Sequence, residues 1–483
     1  MKTLPRFLAV LCVAAAMACA TSYAQQMGGG GMGMGGGGMG GMGGGGMGGG
    51  GMGGFGAAAG IMIDADGVLR TQVVVDRELA ARRKAAVAQL EGDLQKSAKL
   101  RMVALSRLEA EVAKAAATGR GIPEEYAKLA GLTRVQYVFV YPGEGSERGE
   151  IVIAGPAEPW MTDASGRAVG IETGSPIVLL EDLAAALRAF SPGHPTDRAI
   201  GCSIDPKQEG LAAMQAYLKK VGRINPKAGS AEEIVAGMRQ ALGTQVVRID
   251  GVSPATHFAQ VLVEADYRMK LIGIGLEPPP VKMSTWIDLA SAGSVAANAL
   301  QRWYFVPDYQ CVRIAEDDLA IELVGRGVKL VGADEVVLSD GRRMSASRAD
   351  RASRLFTEAF TKKYPEIAAR NPVYAQLRNM IDLAVVAAYL QEHDAYGRTQ
   401  FGAEKLRDEA AYPIERHPVP TEVETAINAV WRQNRLLTPI GGGVTLQPRI
   451  ALDSPNLLMD EQGAVSQARG EKLAAPAGRW WWE

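Results

Sequence analysis

Residues 27–54 contain nothing but glycine and methionine, with seven methionines among them. Glycine loses more conformational freedom on folding than any other residue, and isolated methionines offer too little apolar surface to offset that loss. The segment therefore predicts a disordered tether, residues 25–56, that no core can include. Thioether sulfurs suit Cu(I), so metal handling is the sharper alternative. The tract holds no His or Cys, and low complexity accounts for it without a metal.

Ahead of the tether, Lys2 and Arg6 precede an apolar run, Phe7 to Ala18. The run is too short for a bilayer, which needs ~20 residues. Ser22-Tyr23-Ala24 places small residues at −3 and −1. This pattern predicts a secretory signal peptide, residues 1–24, cut between Ala24 and Gln25. A lipoprotein acylated at Cys19 is the competing reading. The most apolar later stretch, Val373 to Leu390, contains Gln376, Arg378, Asn379 and Asp382. Such groups are costly in lipid, so it predicts a buried helix, and no transmembrane span is expected in the mature chain. The expected location is the periplasm or the exterior. Lys+Arg number 52 against Asp+Glu 53. That near-neutral balance argues against a basic nucleic-acid surface.

Signal removal leaves two cysteines, Cys202 and Cys311. An even pair in an oxidising compartment predicts a disulfide between them. Two buried thiols are the alternative.

Beyond the tether, Asp64-Ala65-Asp66-Gly67 begins like a calcium loop but lacks the later oxygen ligands and closing Glu; a turn between short strands is expected. Apolar residues from Val87 to Ala116 recur at gaps of three or four, which predicts a long amphipathic helix over residues 76–117, bent near Gly92. Residues 135–140 and 150–154 read as a hairpin. Residues 177–190 begin as a strand and become a helix. Helices follow at 208–221 and 231–242, then a strand at 245–249 and a helix at 256–270. Pro278-Pro279-Pro280 is a rigid break, taken as a boundary between residues 61–275 and 281–411. Past it, residues 303–306, 310–315, 319–324 and 328–331 read as a strand meander, and 347–364 and 372–392 as helices. Residues 412–483 read as an irregular, proline-rich tail. The class expected is α+β, with mixed sheet segments, the long N-terminal helix and C-terminal helices.

Strong catalytic signatures are missing: HExxH, CxxC, GxxxxGK[ST] and GxSxG do not occur, and GxGxxG occurs only in the Gly/Met-rich tether. His194 lies in a turn composition, His257 precedes a helix, His393 ends one, and His417 falls in the tail. Spacing brings no pair together, so each histidine is read as structural. No catalytic, cofactor-binding or metal-ligating residue is assigned. Glu316-Asp317-Asp318 falls between strand patterns and reads as a solvated turn. Trp303-Tyr304-Phe305 reads as core. Trp480, Trp481 and Trp482 are different: three adjacent side chains cannot all face one core. Tryptophan is enriched at interfaces and membrane surfaces. The triplet therefore predicts contact with something outside its own fold, or a place at the envelope surface; the alternative is that one or two rings dock on the protein's own surface.

Five segments together carry a resemblance: LTRVQYVFVYPGEGSERGEIVIAGPAEPW (132–160), GCSIDP (201–206), VEADYRMK (263–270), WYFVPDYQCVRI (303–314) and ELVGRGVKLV (322–331). Residues 95–400 resemble an uncharacterised secreted domain family typical of planctomycete bacteria. The resemblance implies a secreted or envelope protein and supplies no activity or catalytic residue. Both mature cysteines lie in resembling segments, which fits a structural pairing. The function expected is a non-enzymatic exported envelope scaffold or binding protein with an unknown envelope partner. A secreted hydrolase of envelope polysaccharide is the alternative, since two carboxylates need only the right spacing in space.

Overall fold

The YVFVY run of Tyr137–Tyr141 forms a strand that pairs antiparallel with Glu150–Ala157. β-branched and aromatic side chains fit a pleated surface buried on both faces, and these two strands are the middle of a seven-stranded sheet. The computed structural model describes residues 61–63, 67–71, 79–119, 121–193, 199–221, 230–290, 301–332, 335–337, 343–345, 351–428, 440–470, 473 and 475–483. The signal peptide with its Ala24–Gln25 cleavage site, Cys19 and the Gly/Met tract lie outside the described residues.

Edge to edge, the seven-stranded sheet runs Leu458–Met459, Val312–Ile314, Ala320–Leu323, Tyr137–Tyr141, Glu150–Ala157, Ala98–Ala104 and Trp481–Trp482. An eight-stranded sheet runs Ile61–Ile63, Val68–Thr71, Glu422–Val423, Gln245–Asp250, Ile200–Pro206, Ile440–Leu446, Gln301–Pro307 and Val328–Gly332. The expected meander is thus shared out: its first and last strands join one sheet and its middle two the other. Mixed sheets and packed helices make the class α+β. Pro278–Pro280 falls within a single compact unit, Gly54–Glu483.

Helix His257–Gly273 packs on the 200–206 and 440–446 strands of the eight-stranded sheet. Helix Pro372–Glu392 packs on it and on helix Leu180–Ala189. Its other side reaches the seven-stranded sheet. Asp382 accepts from Arg134 at 2.8 Å, and the Tyr389 hydroxyl donates to the Asp318 carbonyl at 2.8 Å. A helix enclosed on nearly every side reads as apolar all round, which is why this segment resembled a membrane span. Among the described residues, no helix is long and apolar enough to cross a membrane.

Three expectations are corrected. The long helix of 76–117 is instead helix Leu79–Gln89, a 3-10 turn at Gly92–Gln95, strand Ala98–Ala104 and helix Leu105–Ala117. Gly92 breaks the path at φ +54°, and the strand is held from both sides by Glu150–Ala157 and Trp481–Trp482. Cys202 and Cys311 are free, buried thiols and form no disulfide. Cys202 sits on the 200–206 strand of one sheet, whereas Cys311 leads into the 312–314 strand of the other. Burial pushes both thiols up, Cys311 to about 12. Lastly, residues 412–483 are not an irregular tail: they supply four strands, of which Ile440–Leu446 lies inside the eight-stranded sheet.

Candidate functional site

The end of helix Leu180–Ala189, the start of strand Ile200–Pro206, the loop 251–256 and the segment 409–416 enclose a half-open cleft of about 680 Å³. Its apolar floor includes Phe190, Ile200 and Ile414, all buried. Charge sits around it as Arg188, Glu409, Glu415 and Arg416. Thr256 shapes the loop. Its hydroxyl accepts from the Ala259 amide at 3.2 Å and caps helix His257–Gly273, as a threonine at that position does.

The outer wall, residues 409–418, has no regular structure of its own and is held by side chains from the two helices. Arg188 donates to the carbonyl of Leu406 at 3.1 Å, to the carbonyl of Tyr412 and to the Glu409 carboxylate. Gln260 donates to the Pro418 carbonyl at 2.9 Å. The His417 amide donates to the Ala255 carbonyl at 2.8 Å, and its Nε2 lies 3.4 Å from Glu181.

Beneath the wall is a buried polar cluster. His257 Nδ1 lies 2.9 Å and 3.1 Å from the two oxygens of Asp182. The side-chain amide of Gln376 lies 3.2 Å from its Nε2. Asp182 belongs to helix 180–189 and Gln376 to helix 372–392, so one imidazole ties three helices. Burial alone would lower the His257 pKa. The Asp182 carboxylate, with Glu181 behind it, overcomes burial and holds it at about 9. The ring is therefore an imidazolium at neutral pH. The Gln376 Nε2 that faces the ring is a donor as well, so the charged imidazolium calls for the amide turned about, with its oxygen towards His257 Nε2. Arg167 and Arg268 complete the layer around Glu264: Arg167 Nη2 donates to both carboxylate oxygens at 2.7 Å and 2.8 Å, and Arg268 reaches it at 3.3 Å.

This arrangement carries a pH prediction. The unfolded imidazole has its ordinary value of 6.5, and folding raises it to about 9. The native state therefore binds the proton more tightly. The resulting stabilisation is complete below about pH 6.5 and is lost as pH rises through about 9. A shift of this size corresponds to at most ~3 kcal/mol. The unfolding midpoint of the native chain is expected to fall between pH 6.5 and 9.5 by more than that of His257→Gln. Parallel curves for the two proteins would contradict this reading.

Of the residues singled out from sequence, His194 lies outside the described residues. His257 and His417 come together, with ring centroids 5.9 Å apart. His393 ends its helix beside Tyr389. Glu316, Asp317 and Asp318 form the turn between strands Val312–Ile314 and Ala320–Leu323. Trp303 and Phe305 are fully buried. Asp182, Gln376, Arg188 and Glu409 were missed. Asp182 and Gln376 are 75 and 119 residues from His257, and no local pattern marks them. Among the described residues, no group of three or more His, Cys, Asp or Glu is placed to hold a metal ion.

The tryptophan triplet is corrected as well: it docks on its own fold. Trp481 and Trp482 pair antiparallel with Val103 and Met102. Trp480 packs edge-on against Tyr126 in the main core, and Trp482 enters a second cluster with Ala104, Phe139 and Val152. Neighbouring side chains do diverge, but this edge of the sheet is covered on both faces, so each direction finds a core.

Residues 202–286 match a family described as a protein of unknown function (DUF1598). The match takes in the 251–256 loop and helix 257–273, but not Asp182, Gln376 or the 409–418 wall. No curated protein and no solved structure matches the chain.

Proposed function

We propose that this chain is an exported, non-enzymatic binding protein of a bacterial envelope, which holds its ligand in the cleft between helix 180–189 and the 409–416 wall. The observation that carries the reading is the cleft's construction. It has the size of a small-molecule site, a lining that mixes apolar side chains with charged and hydroxyl groups, and a wall tied in place before any ligand arrives. Both ring nitrogens of His257 are engaged by Asp182 and Gln376. That supports a structural tie for this imidazole rather than a general-base role. The signal-like N-terminus and the resemblance of residues 95–400 to secreted planctomycete domains support export to the periplasm or beyond.

The test is thermal unfolding in the presence of fractionated envelope extract. A fraction that raises the midpoint of the native chain, but not that of Ser253→Trp, is expected. Ser253 is exposed on the cleft rim, so the indole fills the cleft without entering the core. Equal shifts in both proteins, or none in either, would overturn the assignment of the site.

A further inference from the structure

We infer that the last strand, Trp481–Trp482, with its neighbours Trp480 and Glu483, is a conformational strap whose docking keeps a second cleft, beside Trp160, in shape. This cleft is separate from the one between helix 180–189 and the 409–416 wall, and the strap acts whether or not that one holds a ligand.

The second cleft is half open, with a volume of about 680 Å³, and Leu90, Glu91, Leu94, Glu124, Glu125 and Trp160 line it. Three short elements build its walls: the 3-10 turn Gly92–Gln95 with the residues before it, helix Glu124–Ala127, and strand Trp160–Thr162. None is long enough to hold its shape alone. Each is tied to the chain's last residues. Trp480 packs edge-on against Tyr126 of helix 124–127, with ring centroids 5.1 Å apart. Arg101, whose charge Glu483 balances, donates to the Asp93 carbonyl at 3.2 Å and the Lys96 carbonyl at 3.0 Å. Its Nη1 donates to the Ala130 carbonyl at 2.6 Å, and through Ala130 it reaches Trp160.

The bond to Ala130 matters because Leu129, Ala130 and Gly131 stand in the left-handed region, at φ +44°, +52° and +82°. Residues that carry a Cβ adopt it at a cost, and two in succession persist only where their surroundings over-determine them. Leu129 and Ala130 are fully buried. Gly131 lies so close to Trp160 that a Cβ would fall 2.9 Å from its ring, and the Gly131 carbonyl accepts from the Glu158 amide at 3.0 Å. The strained turn therefore sits between Arg101 and the Trp160 side of the cleft. Without the Glu483 charge, Arg101 is a buried cation with only carbonyls around it. Moving towards water takes its donor off Ala130, the turn relaxes, and Gly131 leaves Trp160. The linkage is reciprocal: whatever fills the cleft tightens the strand, and whatever lifts the strand deforms the cleft.

The test is hydrogen–deuterium exchange of the full chain and of Glu483→Gln, which removes one partly exposed charge and leaves the three tryptophans in place. Amides of residues 124–133 and 157–162 are expected to exchange about tenfold faster in the variant, with those of helix 372–392 unchanged. Adding Ala130→Gly is expected to return the 124–133 rates to within about twofold of the native chain, because glycine holds this conformation without strain. Unchanged exchange in Glu483→Gln would overturn the strap. Faster exchange of all three segments together would do the same, since it reports general destabilisation. A double variant that exchanges as fast as Glu483→Gln would show that the left-handed turn is not the link, and would overturn it too.

Discussion

Deleting residues 479–483 is expected to lower stability by at least about 6 kcal/mol. Trp480 and Trp482 are 7% and 6% exposed and sit in different apolar clusters, and truncating a buried tryptophan costs about 3–5 kcal/mol. The same deletion strips Arg101. This guanidinium is fully buried, donates to the carbonyls of Ala130, Lys96 and Asp93, and meets the Glu483 carboxylate at 2.5 Å. The Trp481 ring lies 4.7 Å from it. Without the last strand, the cation keeps its carbonyls but loses its counter-charge and its aromatic cover. The sheet edge at Ala98–Ala104 is also uncovered, which favours aggregation. Chemical denaturation of the two chains measures the difference. Curves that superimpose would show that the strand is not a clasp.

Gly442→Ala is expected to cost about 3–5 kcal/mol, an effect out of proportion to one methyl group. Gly442 has φ +151°, a region essentially reserved for glycine. A Cβ there would fall 1.9 Å from the Trp303 carbonyl oxygen. The strand cannot move aside, because it is laddered to Gln301–Pro307 on one side and Ile200–Pro206 on the other. Gly463→Ala is the matched control. It also has positive φ, +66°, but a Cβ there meets nothing within 4 Å, so the expected cost is only ~1 kcal/mol. Equal losses in the two variants would mean that backbone conformation alone, and not the close approach of the strands, decides the effect.

These two positions also mark where sequence reasoning stopped. The strands at 137–141, 150–157 and 245–250 and the helices at 257–273 and 372–392 were legible, because their period or their enrichment in β-branched residues is a local property. Strand Ile440–Leu446 was not, since IGGGVTL shows no alternation and its glycines read as loop. Its place in the sheet is set by close approach to Trp303 and Cys202, 139 and about 240 residues away. The 76–117 segment failed for the opposite reason. A helical spacing was present, but pairing on both sides of Ala98–Ala104 outweighed it, as tertiary context outweighs propensity.

The site divides the same way. His257 and its helix start could be read directly, and the matched family stretch includes them. Its Asp182 and Gln376 partners, the Arg188–Glu409 pair and the cleft between them could not. The sequence by itself determined the α+β class and most of the regular elements. Tertiary structure alone decided that the two thiols stay apart on separate sheets, that the tryptophan triplet closes a sheet edge, and that three helices converge on one imidazolium. The physical reason is that periodicity is written within a few residues. A buried charge, by contrast, must be matched by whichever group the fold brings near it, however far along the chain that group lies.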